Sequence, residues 1–180
     1  MAQHKTLVRV THWINVLSFL ALAVSGTAIL MAHPRFYWGE TGYFDTPAAF
    51  ELPLKPNLDQ SGWGRDLHFL SAWIAVFNGI VYAAWGLLSR HFRFAEYNVL
   101  QRLAYISVVF GLLPLLILTG LTLSPAVTAA YPALFAMFGG RQSARTIHFF
   151  VAVLLTLFLM VHVVMTIREG RVADMIRGKP

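Results

Sequence analysis

Two histidines, His148 and His162, lie 14 residues apart in one long apolar segment near the C-terminus. In an α-helix this spacing is roughly 21 Å along the axis and falls about 40° short of four full turns. Both rings therefore leave the helix on nearly the same side. Histidine inside a membrane span is costly and usually marks a site. The spacing predicts that one helix ligates two cofactors at two depths.

Two further histidines, His12 and His68, stand near the starts of two other apolar segments. Four alternating crossings place His12 at the depth of His162, and His68 at the depth of His148. Two opposed imidazoles suit a six-coordinate haem iron, because the porphyrin supplies the other four nitrogens. Zinc or copper would need three or four protein ligands. The pattern therefore predicts an inner haem iron bound by His12 and His162, and an outer one bound by His68 and His148.

Arginine precedes three of these histidines by three residues, at Arg9, Arg65 and Arg145. Residues at this spacing share a helix face, and the arginine lies one turn closer to the membrane surface. Guanidinium is the natural bidentate partner of a carboxylate such as a haem propionate. The alternative is that these arginines flank the spans and extend their charges into the headgroup region. Both interpretations remain open at this stage.

The composition is that of a membrane protein. Of 180 residues, 57% are hydrophobic and 12% are charged, whereas an ordinary soluble domain is about 25% charged. Four apolar runs reach the ~20 residues that span a bilayer. We expect an all-α integral membrane four-helix bundle forming a single domain over residues 1–180, without a cleavable signal peptide. The predicted helices cover about 7–32, 65–89, 98–123 and 145–168, with an outer loop at 33–64.

Several connecting features add detail to this bundle. The proline- and aromatic-rich loop predicts an ordered cap on the membrane surface. Residues 124–140 are too short to span and predict an interfacial segment. Pro114 is expected to kink the third helix. A stripe of small residues in the second helix predicts close helix packing, which is compatible with room for a flat macrocycle; it comprises Ala72, Ala75, Gly79, Ala83 and Gly86.

The cations are distributed unequally between the two sides. Nine lysines and arginines lie on the side of the termini and five on the side of the long loop. Basic residues mark the cytoplasmic side, so both termini are predicted to be cytoplasmic. The net charge of +6 is explained by this topology, and we expect no nucleic-acid binding. The absence of cysteine excludes disulfides and thiolate ligation.

Three stretches carry a family resemblance: RVTHWIN at 9–15, RDLHFLSAW at 65–73 and RTIHFFVAVLLTLFLMVHVVMT at 145–166. They resemble the di-haem cytochrome b subunits, which include the bacterial cytochrome b561 group and the membrane subunits of nickel–iron hydrogenase, formate dehydrogenase and thiosulfate reductase. The resemblance implies two haem b groups with the same histidine pairs, in the bacterial inner membrane. It also implies a quinone site near the inner haem, for which Arg9, Asn15 and the loop around 90–102 are placed by position only. The outer redox partner is implied in the same way.

The leading functional hypothesis is electron transfer between a periplasmic oxidoreductase or cytochrome and the quinone pool. The long outer loop resembles that of members accompanying molybdopterin oxidoreductases. An alternative is a stand-alone superoxide:quinone oxidoreductase, the activity of some small b561-type proteins that this chain resembles. A third interpretation, a haem-free scaffold or small transporter, would need paired charges or broken helices at the midplane. The midplane of this sequence is largely apolar.

Overall fold

The computed structural model describes residues 6–43, 45–89, 99–170, 172 and 176. Four helical stretches are long and apolar enough to cross a membrane: Thr6–Ala32, Leu58–Leu88, Val99–Leu123 and Arg141–Arg168. The predicted all-α membrane protein with four spans is thereby confirmed. Arg90 and His91 lie outside the described residues. The elements are, in chain order, α1 (Thr6–Ala32), β1 (Arg35–Phe36), β2 (Phe50–Glu51), a 3₁₀ turn (Leu58–Gln60), α2 (Ser61–Leu88), α3 (Val99–Ser107), a π-helical turn (Val108–Leu112), α4 (Leu113–Leu123), α5 (Pro125–Ala130), α6 (Ala133–Phe138) and α7 (Arg141–Arg168).

The chain forms two compact units. Unit 1 comprises Met1–His33, Leu54–Phe94 and His162–Pro180, and unit 2 comprises Pro34–Pro53 and Ala95–Val161. Helix α7 contributes its first part to unit 2 and its last turns to unit 1. The description of residues 1–180 as a single domain stays a prediction, as does the cytoplasmic placement of the termini.

Unit 1 is built on an antiparallel hairpin of α1 and α2. Gly64 lies level with Ala28, whose Cβ is 3.1 Å from the position that a Cβ on Gly64 would take. Further along α2, Asn78 donates a hydrogen bond to the carbonyl of Thr11. Small and polar side chains allow this close approach of apolar helices, because they keep the two backbones near each other.

The buried positions of α2 differ from the predicted small-residue stripe. They are Gly64, Ser71, Asn78 and Gly86. Of the predicted stripe only Gly86 is buried, and Ala83 is exposed. The first three buried positions recur every seven residues, the period of two helices that wrap around each other at a small angle. Counting small residues alone missed this face because two of its members are polar.

In unit 2, the third span is interrupted where Pro114 was expected to disturb it. Proline has no N–H to donate and its ring crowds the carbonyl four residues earlier. The π-helical turn Val108–Leu112 stands immediately before α4, in which Pro114 occupies the first turn. Such a turn is a common cause of a helix irregularity. Its residue Val108 packs in a core with Val151 and Leu155 of α7.

The segment 124–140 forms two short helices, α5 and α6, neither of which can span a bilayer. Helices α2 and α7 each begin four residues earlier than predicted, at Ser61 and Arg141. The first turn of α7 is polar and that of α2 contains two glycines, so hydropathy does not reveal them. In α7, the backbone carbonyl of Gly39 accepts hydrogen bonds from the amides of Gln142 (2.9 Å) and Ser143 (3.2 Å). A loop carbonyl thus satisfies amides that a helix start leaves unpaired.

The part of the outer loop in unit 2 is ordered by a strand pair and an aromatic cluster. Arg35 pairs with Glu51 and Phe36 with Phe50 across the two strands. The Arg35–Glu51 hydrogen bond and ion pair, at 2.9 Å, raises the pKa of Arg35. The ring of Phe36 stacks on Phe50 at 4.4 Å and contacts Phe149 of α7 at 4.6 Å. The expectation of an ordered loop is met in these residues.

We expect Gly140→Ala to destabilise the protein more than Gly139→Ala. Gly140 has a φ of +113°, and a Cβ there would lie 2.4 Å from the backbone of Gly39. Gly139 has a φ of +68° with nothing within 4 Å of its Cβ position, so alanine there should lose only about 1 kcal/mol of unfolding free energy. The added clash should make the loss at Gly140 roughly 3 kcal/mol. Denaturation in mixed micelles followed by circular dichroism measures both, and equal losses would contradict the contact with Gly39.

Candidate functional site

His68 lies two turns inside α2, and a hydroxyl of α1 anchors its ring. Its Nδ1 is 3.0 Å from Oγ of Ser25. The Ser25 hydroxyl donates its own hydrogen to the carbonyl of Ala21, at 2.7 Å. The donor in the Ser25–His68 bond depends on the tautomer of His68, and the Ser25 oxygen accepts when Nδ1 carries the ring proton. In that tautomer Nε2 is the ring atom that could bind a metal.

His148 in α7 has an anchor of the same kind in unit 2. Its Nδ1 is 2.9 Å from Oγ1 of Thr119 on α4. The Thr119 hydroxyl is bonded to the carbonyl of Leu115 at 2.8 Å, and the side chain is fully buried. As at His68, the donor depends on the tautomer; with the ring proton on Nδ1, the Thr119 oxygen accepts and Nε2 is the potential ligand atom.

A glycine follows each anchoring hydroxyl and lies against the same imidazole. A Cβ on Gly26 would be 3.6 Å from Cε1 of His68, and a Cβ on Gly120 would be 3.3 Å from Cε1 of His148. The second distance is tighter than ordinary van der Waals contact. The dipeptides Ser25–Gly26 and Thr119–Gly120 therefore form matching cradles, each with one acceptor and one open backbone surface.

The other two predicted ligands, His12 and His162, both belong to unit 1 and are half-buried. The ring of His12 meets Trp13 edge-on at 5.8 Å. The preceding residue, Thr11, has its carbonyl held by Asn78 of α2, whose Nδ2 also donates to Oδ1 of Asn15 at 2.8 Å. The carbonyl of His162 accepts from the hydroxyl of Thr166.

The hairpin of unit 1 gives the two levels of its histidines. His68 is level with Ser25 through their hydrogen bond, and Ser25 is 13 residues along α1 from His12. At ~1.5 Å per residue this separates His12 and His68 by roughly 20 Å along the hairpin. The spacing of His148 and His162 in α7 is 14 residues, which is nearly the same rise. Two independent elements thus carry histidines at the same axial interval.

Comparison with known proteins identifies the kind of site. Residues 3–178 match the family described as "Prokaryotic cytochrome b561". The chain belongs to this family. A relative from Azospira oryzae, named "Putative protein-methionine-sulfoxide reductase subunit YedZ1", is 28% identical in an alignment covering 98% of this chain and 96% of the relative. No solved structure matches the chain.

Membership of the cytochrome b561 family makes this a multi-pass protein of the bacterial inner membrane, with a role in electron transport and a haem b cofactor. The observed donor set fits that cofactor. His68 and His148 each have Nδ1 in a hydrogen bond, and their Nε2 atoms could hold a haem iron, the arrangement that metal-ligating histidines usually adopt. The number of haems and the pairing of the four histidines stay predictions.

Arg145, which is predicted to meet a haem propionate, is held by the outer loop. Its Nη2 donates to the carbonyl of Arg35, and its guanidinium lies 5.2 Å from the centre of the Phe36 ring. Among the described side chains, its Nε is one of two buried polar atoms with no hydrogen-bond partner in the protein; the other is Oε1 of Gln142. A buried guanidinium N–H without an acceptor is costly, so this group suits a carboxylate such as a propionate.

The other two predicted propionate partners have different surroundings. Arg65 is exposed, and its Nε donates to the carbonyl of Ser61 within the same helix. Arg9 donates to the carbonyl of Ile176 and lines an open pocket of unit 1 with Trp13. The propionate assignments of all three arginines stay predictions, and Arg145 has the support of its buried Nε.

The sequence reasoning missed Ser25, Thr119 and Asn78 as functional neighbours of the histidines. The ring of His68 lies against Gly26. A signal was present in the form of a hydroxyl–glycine pair inside two apolar helices. The histidine that each pair meets is 43 or 29 residues away in the chain, so only the fold reveals the partner.

We expect Asn78→Leu to weaken the α1–α2 hairpin, because it removes the donor to Thr11 and Asn15. Interhelical hydrogen bonds in membranes contribute about 0.6 kcal/mol on average and up to about 1.7 kcal/mol. A double-mutant cycle with Asn15→Leu, measured by unfolding in mixed micelles, should give coupling of this size. Gly79→Ala is the control, because its Cβ position has no heavy atom within 4 Å. Zero coupling between Asn15 and Asn78 would contradict the bond.

Proposed function

We propose that this b561-family protein transfers electrons between a periplasmic redox partner and the membrane quinone pool, with two bis-histidine b haems as its carriers. His12 and His162 would ligate the inner haem, and His68 and His148 the outer one. Both termini would lie in the cytoplasm, as the excess of basic residues on their side indicates.

The observation that carries this proposal is the equal axial interval of the histidines. The hairpin of α1 and α2 separates His12 from His68 by roughly 20 Å, and α7 separates His162 from His148 by roughly 21 Å. Ligands that recur at one interval on separate elements support two cofactor levels rather than one. Crossing a hydrocarbon core of ~30 Å in this way requires more than one level.

Haem b supplies one-electron oxidation and reduction of its iron when bound. The residues of the chain then have distinct tasks. Ser25 and Thr119 orient the rings of His68 and His148, Arg145 offers its guanidinium to a carboxylate, and the apolar spans exclude water. Such burial and hydrogen bonding are the means by which a protein adjusts a haem potential.

The partner is supported by the relative from Azospira oryzae, which is named as a subunit of a reductase. We infer that this chain likewise serves a separate catalytic protein on the periplasmic side, such as a molybdopterin oxidoreductase. The aromatic cluster around Phe36 keeps that side of unit 2 ordered. The quinone would bind near the inner haem, where Arg9 and Trp13 line an open pocket of about 540 Å³.

Purified protein should contain two haem b groups per chain by the pyridine haemochrome assay. His148→Ala should retain one haem, because it removes an axial ligand of the outer level, and His12→Ala should retain the other. His33→Ala is the control and should keep both, since His33 lies beyond α1. A wild-type ratio near one or zero, or two haems retained in His148→Ala, would refute the proposed ligation.

A stand-alone superoxide:quinone oxidoreductase is distinguished by its electron donor. The proposed function predicts that a periplasmic oxidoreductase or c-type cytochrome co-purifies from native membranes and reduces or oxidises the haems on mixing. Stopped-flow spectroscopy with superoxide alone should give little haem reduction. Rapid reduction by superoxide without any partner protein would replace the present proposal with the alternative.

A further inference from the structure

We propose that Ser25 and Thr119 are positioning residues that stabilise the iron-binding tautomer of His68 and His148, respectively, and lower the reduction potential of the haem that each histidine ligates. The inference deepens the proposed function and rests on it. Neither residue was singled out by the sequence as a neighbour of a ligand. The same arrangement of histidine, hydroxyl and glycine occurs twice, once in each unit.

The hydrogen bonds around His68 and His148 follow the same order. In unit 1 the chain of bonds runs from the His68 Nδ1–H to Oγ of Ser25, and from the Ser25 hydroxyl to the carbonyl of Ala21. In unit 2 it runs from His148 through Thr119 to the carbonyl of Leu115. A neutral imidazole that binds iron through Nε2 carries its proton on Nδ1, so in the haem-bound protein each hydroxyl oxygen would accept from the ring. Both hydroxyls would thereby stabilise the tautomer that binds iron, and at His68 the backbone of Leu22 also forms a hydrogen bond with the ring.

The hydroxyl also affects how strongly the imidazole would donate electrons to iron. A hydroxyl polarised by donating to a backbone carbonyl is a better acceptor, because consecutive hydrogen bonds strengthen one another. An acceptor at Nδ1 makes the imidazole more basic and a stronger donor to the metal. Stronger donation favours ferric over ferrous iron, so the acceptor lowers the reduction potential. Removing either hydroxyl should raise it.

A glycine follows each hydroxyl residue and lies against the histidine ring. The Cε1 edge of His148 would be 3.3 Å from a Cβ on Gly120, and that of His68 3.6 Å from a Cβ on Gly26. The ring is therefore held between an acceptor and a backbone surface, which restricts its rotation. A methyl group at Gly120 would press on the His148 ring, whereas the distance at Gly26 is that of an ordinary van der Waals contact.

The chain provides a matched control on each helix. Thr122 is on α4 three residues from Thr119, is equally buried and bonds the carbonyl of Leu118 at 2.9 Å. Thr27 is on α1 two residues from Ser25 and bonds the carbonyl of Ala23 at 2.8 Å. Replacing either removes an in-helix hydroxyl bond without touching the Nδ1 contacts described above.

The experiment is redox potentiometry with electron paramagnetic resonance on the purified holoprotein. Thr119→Val and Ser25→Ala should each raise the midpoint potential of one haem, change its low-spin ferric signal and speed haem loss to a scavenger by about 10-fold. Thr119→Ser and Ser25→Thr keep the hydroxyl and should restore wild-type values. Thr122→Val and Thr27→Val should leave both potentials unchanged.

The possible outcomes distinguish the role of the two hydroxyls from the proposed electron-transfer function. Unchanged potentials in Thr119→Val and Ser25→Ala, with two haems bound, would overturn the inference alone. A wild-type preparation without haem would overturn both. An upward shift in the same haem for both variants supports the inference and the pairing of His68 with His148. Shifts in different haems would support the inference while refuting that pairing.

Discussion

A polar nitrogen inside an apolar span has to find its partner within the protein, because the hydrocarbon of the bilayer provides none. In this chain the partner of each anchored imidazole is a hydroxyl on another helix, and the hydroxyl is itself bonded to its own backbone. The backbone carbonyl, the hydroxyl and the ring thus form a series in which each donor is used. With the ring proton on Nδ1, Nε2 is the atom that would bind a metal.

This requirement also determines how close the helices lie. The imidazoles of His68 and His148 reach their hydroxyls over a glycine surface at Gly26 and Gly120. In unit 1, Asn78 ties α2 to the backbone of Thr11, directly before His12. Polar side chains therefore set the register of the hairpin, while the apolar side chains around them can pack in many registers. The register in turn gives the histidines their axial interval.

The outer loop likewise supplies hydrogen-bond acceptors to the first turns of α7. The carbonyl of Gly39 accepts from the first amides of that helix, and the carbonyl of Tyr37 accepts from the buried hydroxyl of Thr146. The loop carbonyl of Arg35 holds Arg145, one turn before His148. A loop that is bonded to successive residues of α7 cannot move independently of the helix start. The long aromatic connection is consequently part of the support of the ligand helix.

The sequence by itself determined the number of spans, their approximate limits and the family, because apolar runs of this length form membrane helices and the histidine motifs are specific. It also predicted an ordered outer loop and a kink at Pro114, and the structure has a π-helical turn immediately before the helix that contains Pro114. It misjudged the starts of α2 and α7, since glycine-rich or polar first turns give no hydropathy signal. Only the tertiary structure decided that Ser25 and Thr119 meet His68 and His148. A hydroxyl in an apolar helix can always bond its own backbone, so its second partner depends on which helix lies beside it.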